Sequence, residues 1–108
     1  YNNNNNNNVF NFKITVDKAK GLHKNGRIIE AAEEYSKALT YDRHNVDVRI
    51  RLALCLLESH NYEGSAKQLQ SLIDINAHNK KNPMLRFVYG LLEHKRQNYN
   101  EAIRHYYK

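Results

Sequence analysis

Three times along the chain a turn is followed by a fresh amphipathic segment, opening at Ile28, Tyr62 and Tyr99, with intervals of 34 and 37 residues. A self-similar period of this size is the mark of stacked supersecondary units rather than one closed core: each unit leaves an oily flank that a neighbouring unit must cover. Stacks of this kind present surfaces for binding and seldom catalyse.

The bulk properties fit one small domain. A chain of 108 residues with 41% hydrophobic content lies slightly under the globular norm, as an elongated stack with much surface requires. The longest apolar run, Leu52 to Leu57, is six residues, against roughly 20 for a bilayer span. No membrane segment and no charged-then-oily leader is therefore read from the sequence. Cys55, the lone cysteine, cannot form an internal bridge, which points to a reducing compartment. The cytoplasm is expected, with the nucleus also open. The chain begins with Tyr1 and stops at Lys108 inside a helical pattern, so it reads as part of a longer protein. Asn2 to Asn8 form an unbroken polyasparagine tract with nothing apolar to bury, expected to be a disordered leader over residues 1–9. Residues 10–108 then form the folded domain.

Helical signals dominate from Phe10 onward, with apolar residues recurring at three and four positions, one proline and four glycines. The pattern predicts six helices. The first spans about Phe12 to Lys24 and ends at Asn25-Gly26, a pair suited to left-handed backbone. The second covers Ile28 to Tyr41; Asn45 caps a third over Val46 to Ser59, and Asn61 a fourth over Tyr62 to Ile75. Asn82-Pro83 starts a fifth that runs to about Arg96. Asn98, with Glu101 three residues later, forms a capping-box-like start for a sixth. Connections of two to seven residues force consecutive helices to fold back on one another.

The residues inside these hairpins resemble the tetratricopeptide repeat family. The second-helix element reads Ala31-x-x-x-Tyr35-x-x-Ala38 in unit one and Ala102-x-x-x-Tyr106 in unit three, and has drifted to Ser65-x-x-x-Leu69-x-x-Leu72 in the middle unit. The first-helix element appears as Lys18-Ala19-x-x-Leu22, Leu52-Ala53-x-x-Leu56 and Tyr89-Gly90-x-x-Glu93. A small residue holds at Ala19, Ala53 and Gly90, where two helices cross closely. The tryptophan-like position is Thr15, Arg49 and Arg86, and the closing proline is replaced by Arg43 and Ala77. An insertion at Asn79, Lys80 and Lys81 explains the longer second interval. The resemblance implies an all-α, right-handed superhelical stack of antiparallel helix hairpins, about two and a half units at residues 12–45, 46–82 and 83–108, the last truncated.

The same resemblance assigns binding to a concave groove lined by the first helix of each hairpin. In this register the groove residues are Lys13, Val16, Lys20, His23 and Lys24 in unit one. Unit two supplies Asp47, Ile50, Leu54, Leu57 and Glu58, and unit three supplies Met84, Phe87, Leu91, His94 and Lys95. A basic lip and an apolar floor imply a protein partner, a helix or extended peptide with apolar anchors and an acidic flank. Against this stands plain packing: the third helix is oily nearly all round, as the buried centre of a stack would be.

Other readings are weaker. The family's carboxylate-gripping adaptors would place their clamp at Val16, Lys20, Arg51, Met84 and Val88, where neither asparagine is present, leaving a peptide adaptor without a clamp as one alternative. An RNA-associated helical repeat is the other, favoured by a net charge of +6. Nucleic acid is nonetheless disfavoured, because Tyr35, Tyr62, Tyr99 and Tyr106 are accounted for by repeat packing. No HExxH, CxxC or glycine-rich phosphate loop occurs. His44 and His78 share a turn position, and His23 and His94 lie two units apart. No enzyme activity, metal or cofactor is expected, and Cys55 reads as a small hydrophobe. With fewer than three complete units the chain alone is expected to be marginally stable, an expectation that a cooperative melt well above about 60 °C would contradict.

Overall fold

A computed structural model describes residues 3–106. It is an elongated slab, 64 × 32 × 19 Å, built only of helices among the described residues. In chain order these are α1 (Asn3–Lys24), α2 (Ile28–Tyr41), α3 (Val46–Glu58), α4 (Tyr62–Ile75), a 3-10 turn (Ala77–Lys81) and α5 (Pro83–Tyr106). The first two pairs, α1 with α2 and α3 with α4, are helix hairpins, and α5 packs on α3 and α4.

Local chemistry sets the ends of these elements. The two hairpin turns use one motif. At the first, Gly26 N–H donates to the His23 carbonyl and Arg27 N–H to Leu22, with Gly26 at φ 81. At the second, His60 N–H donates to Leu57 and Asn61 N–H to Leu56, with His60 at φ 68. The left-handed residue closes the helix in each case, and glycine takes that conformation without the steric cost that His60 bears. The expected asparagine caps form: Asn45 Oδ1 accepts from Val48 N–H at 2.9 Å, and Asn61 Oδ1 from Gly64 N–H at 2.9 Å. Asn82 Oδ1 accepts from Met84 and Leu85 N–H at 2.9 and 3.2 Å, ahead of Pro83. The insertion after α4 becomes the 3-10 turn, tied back where Asn79 Nδ2 donates to the Leu72 carbonyl.

α3 organises the interior. Val48, Leu52 and Cys55 join one core with Val16 and Ala19 of α1 and Ala31, Tyr35 and Ala38 of α2. Ile50, Ala53 and Leu57 join a second with Leu69 and Leu72 of α4 and Leu85, Val88 and Leu92 of α5. These two sets of positions lie on different sides of a 3.6-residue helix. That is why α3 is apolar nearly all round: one helix serves two cores. The close crossings fall at Ala19 and Ala53, both 0% exposed, and Ser65 Oγ donates to the Ala53 carbonyl at 2.8 Å. Both positions are closed over by neighbouring helices, which favours a small side chain there.

Two expectations need correction. α1 begins at Asn3, so asparagines expected in a disordered leader form its first turns. Extending a helix whose later turns are already packed costs far less than nucleating one. Tyr1 and Asn2 of the leader, and Tyr107 and Lys108 of the third unit, lie outside the described residues. Secondly, the fifth and sixth helices are one: α5 runs through Gln97 and Asn98 without a break. The register equivalent of Gly26 and His60 is Gln97, whose side chain disfavours the left-handed turn, and no glycine or proline follows Gly90 in the helix. Asn98 therefore caps nothing; its Nδ2 lies 3.3 Å from His94 Nε2 within the helix.

Candidate functional site

The expected groove residues divide into two groups by the direction in which their helices turn them. One stripe runs across the first-helix faces. On α1 it holds Lys13, Asp17, Lys20 and Lys24, all exposed. None of the three lysines has an ion pair among the described residues. On α3 the stripe is Asp47, Arg51, Leu54 and Glu58, spaced at four, three and four, with Arg51 Nε donating to Asp47 Oδ2 at 2.9 Å. On α5 it is Met84, Leu91 and Lys95. Leu54, Met84 and Leu91 are half-buried, each resting against the second core with its outer edge open.

The other group turns along the stack axis. Val16, Ile50 and Phe87 are register equivalents, as are His23, Leu57 and His94. Val16 is 8% exposed in the first core, and Ile50 and Leu57 are 0% and 4% exposed in the second. Their expected place in an open groove is therefore corrected: they are contacts between successive units. Phe87 and His94 occupy the same positions on α5 and are exposed, with no helix over them among the described residues. His23 is engaged as well, its Nε2 2.6 Å from Glu58 Oε1, so it clasps α1 to α3.

Arg49 explains one departure from the family pattern. It stands where a large ring is usual and spans the same gap with polar bonds, Nη1 donating to Gln68 Oε1 at 2.8 Å and Nη2 to the Arg43 carbonyl at 2.9 Å. This ties α3 to α4 and to the preceding turn, beside an open cleft of about 560 Å3 that Arg43, His44, Ser36 and Thr40 also line. The signal available beforehand was an arginine in a register slot meant for bulk.

Reactive chemistry is suppressed in the interior. Burial, reinforced by the Glu58 carboxylate, pushes the Cys55 thiol up to about 12, so it holds its proton at neutral pH and is no nucleophile. Burial also raises the Tyr35 phenol despite the pull of the nearby Arg51 charge. For Arg51, burial is outweighed by the Asp47 carboxylate, which keeps it charged. Among the described residues no three His, Cys, Asp or Glu side chains gather as metal ligands, and no helix is long and apolar enough to cross a membrane.

The family described as tetratricopeptide repeat matches residues 22–82, more than half of the chain, from the end of α1 through the 3-10 turn. No curated protein and no solved structure matches.

Proposed function

We propose that this chain, which belongs to the tetratricopeptide repeat family, holds a partner helix or extended peptide across the first-helix faces of α1, α3 and α5. The family is one of non-catalytic protein–protein interaction modules, and the proposal concerns which surface is used and for what. One observation carries it: the half-buried edges of Leu54, Met84 and Leu91 form an apolar floor on the same faces as Lys13, Lys20 and Lys24, cations with no ion pair among the described residues. Such a floor takes large apolar anchors, and the cations attract an acidic flank and steer its approach. The role that follows is a scaffold surface within a multi-subunit assembly. A buried free cysteine suits a reducing compartment, the cytoplasm.

The test is fluorescence anisotropy with labelled amphipathic helical peptides that share spaced leucine or phenylalanine anchors and differ only in an acidic or a basic flank. The acidic series should bind at least about tenfold more tightly, and the Lys20→Glu, Lys24→Glu pair should erase the difference. Equal affinity for both flanks in the unaltered chain would sink the reading. Tight, steeply salt-dependent capture of single-stranded RNA instead would favour phosphate tracking.

A further inference from the structure

α3 and α5 are register-equivalent helices whose distal faces differ. On α3 that face carries Ile50, Ala53 and Leu57, none more than 4% exposed. On α5 the same positions are Phe87, Gly90 and His94, all exposed. A Cβ added at Gly90 would meet nothing within 4 Å. An open cleft of about 480 Å3 runs beside Gly90 between α4 and α5, with Ile73, Leu85 and Tyr89 in its lining. In the second hairpin the corresponding place is filled by α4, whose buried Ser65 hydroxyl reaches the Ala53 backbone. The third unit thus has a seat for a second helix, and none of the described residues fills it.

The chain carries the matching helix. Its segment 99–106 repeats the second-helix pattern, with Ala102 in the position of Ala31 and Ser65 and Tyr106 in that of Tyr35 and Leu69. Ala31, Ser65, Tyr35 and Leu69 are each 0% exposed in their own hairpins, whereas Ala102 is exposed and Ile103 is 39% exposed. The segment misses the cleft of its own copy because α5 runs straight through Gln97. Tyr99 holds it there, its ring edge-on to Tyr62 with centroids 6.1 Å apart. A straight arm needs no left-handed glutamine to reach another molecule.

We propose that the α5 arm, residues 99–106, docks in the Gly90 cleft of a second copy, each copy supplying the second helix that the other's third unit lacks. Donor and acceptor lie on one chain, so a twofold axis forms both contacts at once and the pair closes without propagating. Ala102 then crosses Gly90 as Ser65 crosses Ala53, and the apolar flank of the arm lies along Ile73, Leu85 and Tyr89 of the cleft. This surface is separate from the first-helix face proposed for a partner, so either assignment stands if the other fails.

The test combines mass and cross-linking. Multi-angle light scattering of the chain, 12.7 kDa as a monomer, over a dilution series from about 1 mM to 1 µM should show the mass doubling at the upper end. Gly90→Leu should keep it monomeric with an unchanged helical circular dichroism signal, since the site is open in the single copy. Mixing two separate variants, Gly90→Cys and Ala102→Cys, under mild oxidation should give a cross-linked heterodimer. A monomeric mass throughout would overturn the proposal. So would a Gly90→Cys, Ala102→Cys double variant that closes its bridge within one chain, which would mean the arm folds back in place.

Discussion

His23 of α1 and Glu58 of α3 stand 35 positions apart and meet at 2.6 Å, Nε2 to Oε1, joining the ends of the first helices of two successive units. The contact fixes how those units sit against each other and takes His23 out of the pool of groove residues. Both side chains keep some solvent contact, 22% and 40%, so water competes for the bond and its worth is modest.

Removing either partner should therefore lower unfolding stability by about 0.5 kcal/mol, and a His23→Ala, Glu58→Ala double-mutant cycle in urea should return a coupling of the same order. Zero coupling would mean that the two units are registered by their apolar cores alone.

Much of this arrangement was legible in the residues. The bounds of α2 and α4 and the start of α5 follow from Asn61, Asn82-Pro83 and the turn at Asn25-Gly26, because caps and left-handed turns are local chemistry that few residue types satisfy. The hairpins followed from short connections and the small residues at Ala19 and Ala53. The direction each apolar position faces was harder to read. Register shows that Val16, Ile50 and Phe87 are equivalent, but not whether their shared azimuth meets a ligand or the next unit. On α3, apolar on all sides, periodicity cannot separate the two cores from the open stripe. The straight α5 escaped for a related reason: Asn98 and Glu101 satisfy a capping pattern, yet a cap forms only where the chain has first turned, and Gln97 does not supply that turn.

The caps give a direct comparison. Asn61→Ala should cost about 1 kcal/mol, since the Gly64 N–H loses the acceptor that its side chain provides. Asn98→Ala should leave stability unchanged or raise it by a few tenths of a kcal/mol, because alanine is the better residue inside a helix. Chemical denaturation of both variants checks this. An equal loss at Asn98 would mean that α5 breaks there in solution.

Ala53 and Gly90 make a sharper pair, being the same register position on α3 and α5. Ala53 is 0% exposed with Ser65 on its backbone carbonyl. Ala53→Leu should push α3 and α4 apart and cost about 1–3 kcal/mol or more. Gly90→Leu in dilute solution should instead stabilise α5 by about 0.5–1 kcal/mol, through helix propensity and without a clash. If both substitutions destabilised alike, the cleft beside Gly90 would be filled in the monomer.

Alkaline pH should loosen the stack through the first core, and the sign follows from which state holds its protons. The Cys55 thiol titrates at its ordinary value of 9.0 when the chain is unfolded and at about 12 in the folded protein, because burial, and after it the Glu58 carboxylate, disfavour the thiolate. Below pH 9 both states keep the proton and the thiol adds no pH dependence. Between about 9 and 12 the unfolded state binds fewer protons than the folded one, so stability falls by about 1.4 kcal/mol per pH unit for this one group. The Tyr35 phenol, also raised by burial and packed in the same core, adds a loss of the same sign once the pH passes its ordinary value of 10.0. Urea midpoints at pH 7.5, 9 and 10.5 measure the slope, and Cys55→Ala isolates the contribution of the thiol. That variant should be less stable than the parent at pH 7.5, where only a lost packing contact counts, and should close part of the gap by pH 10.5. A gap that stayed constant with pH would show that the thiol reaches solvent, and with it that α3 is not held between two closed cores.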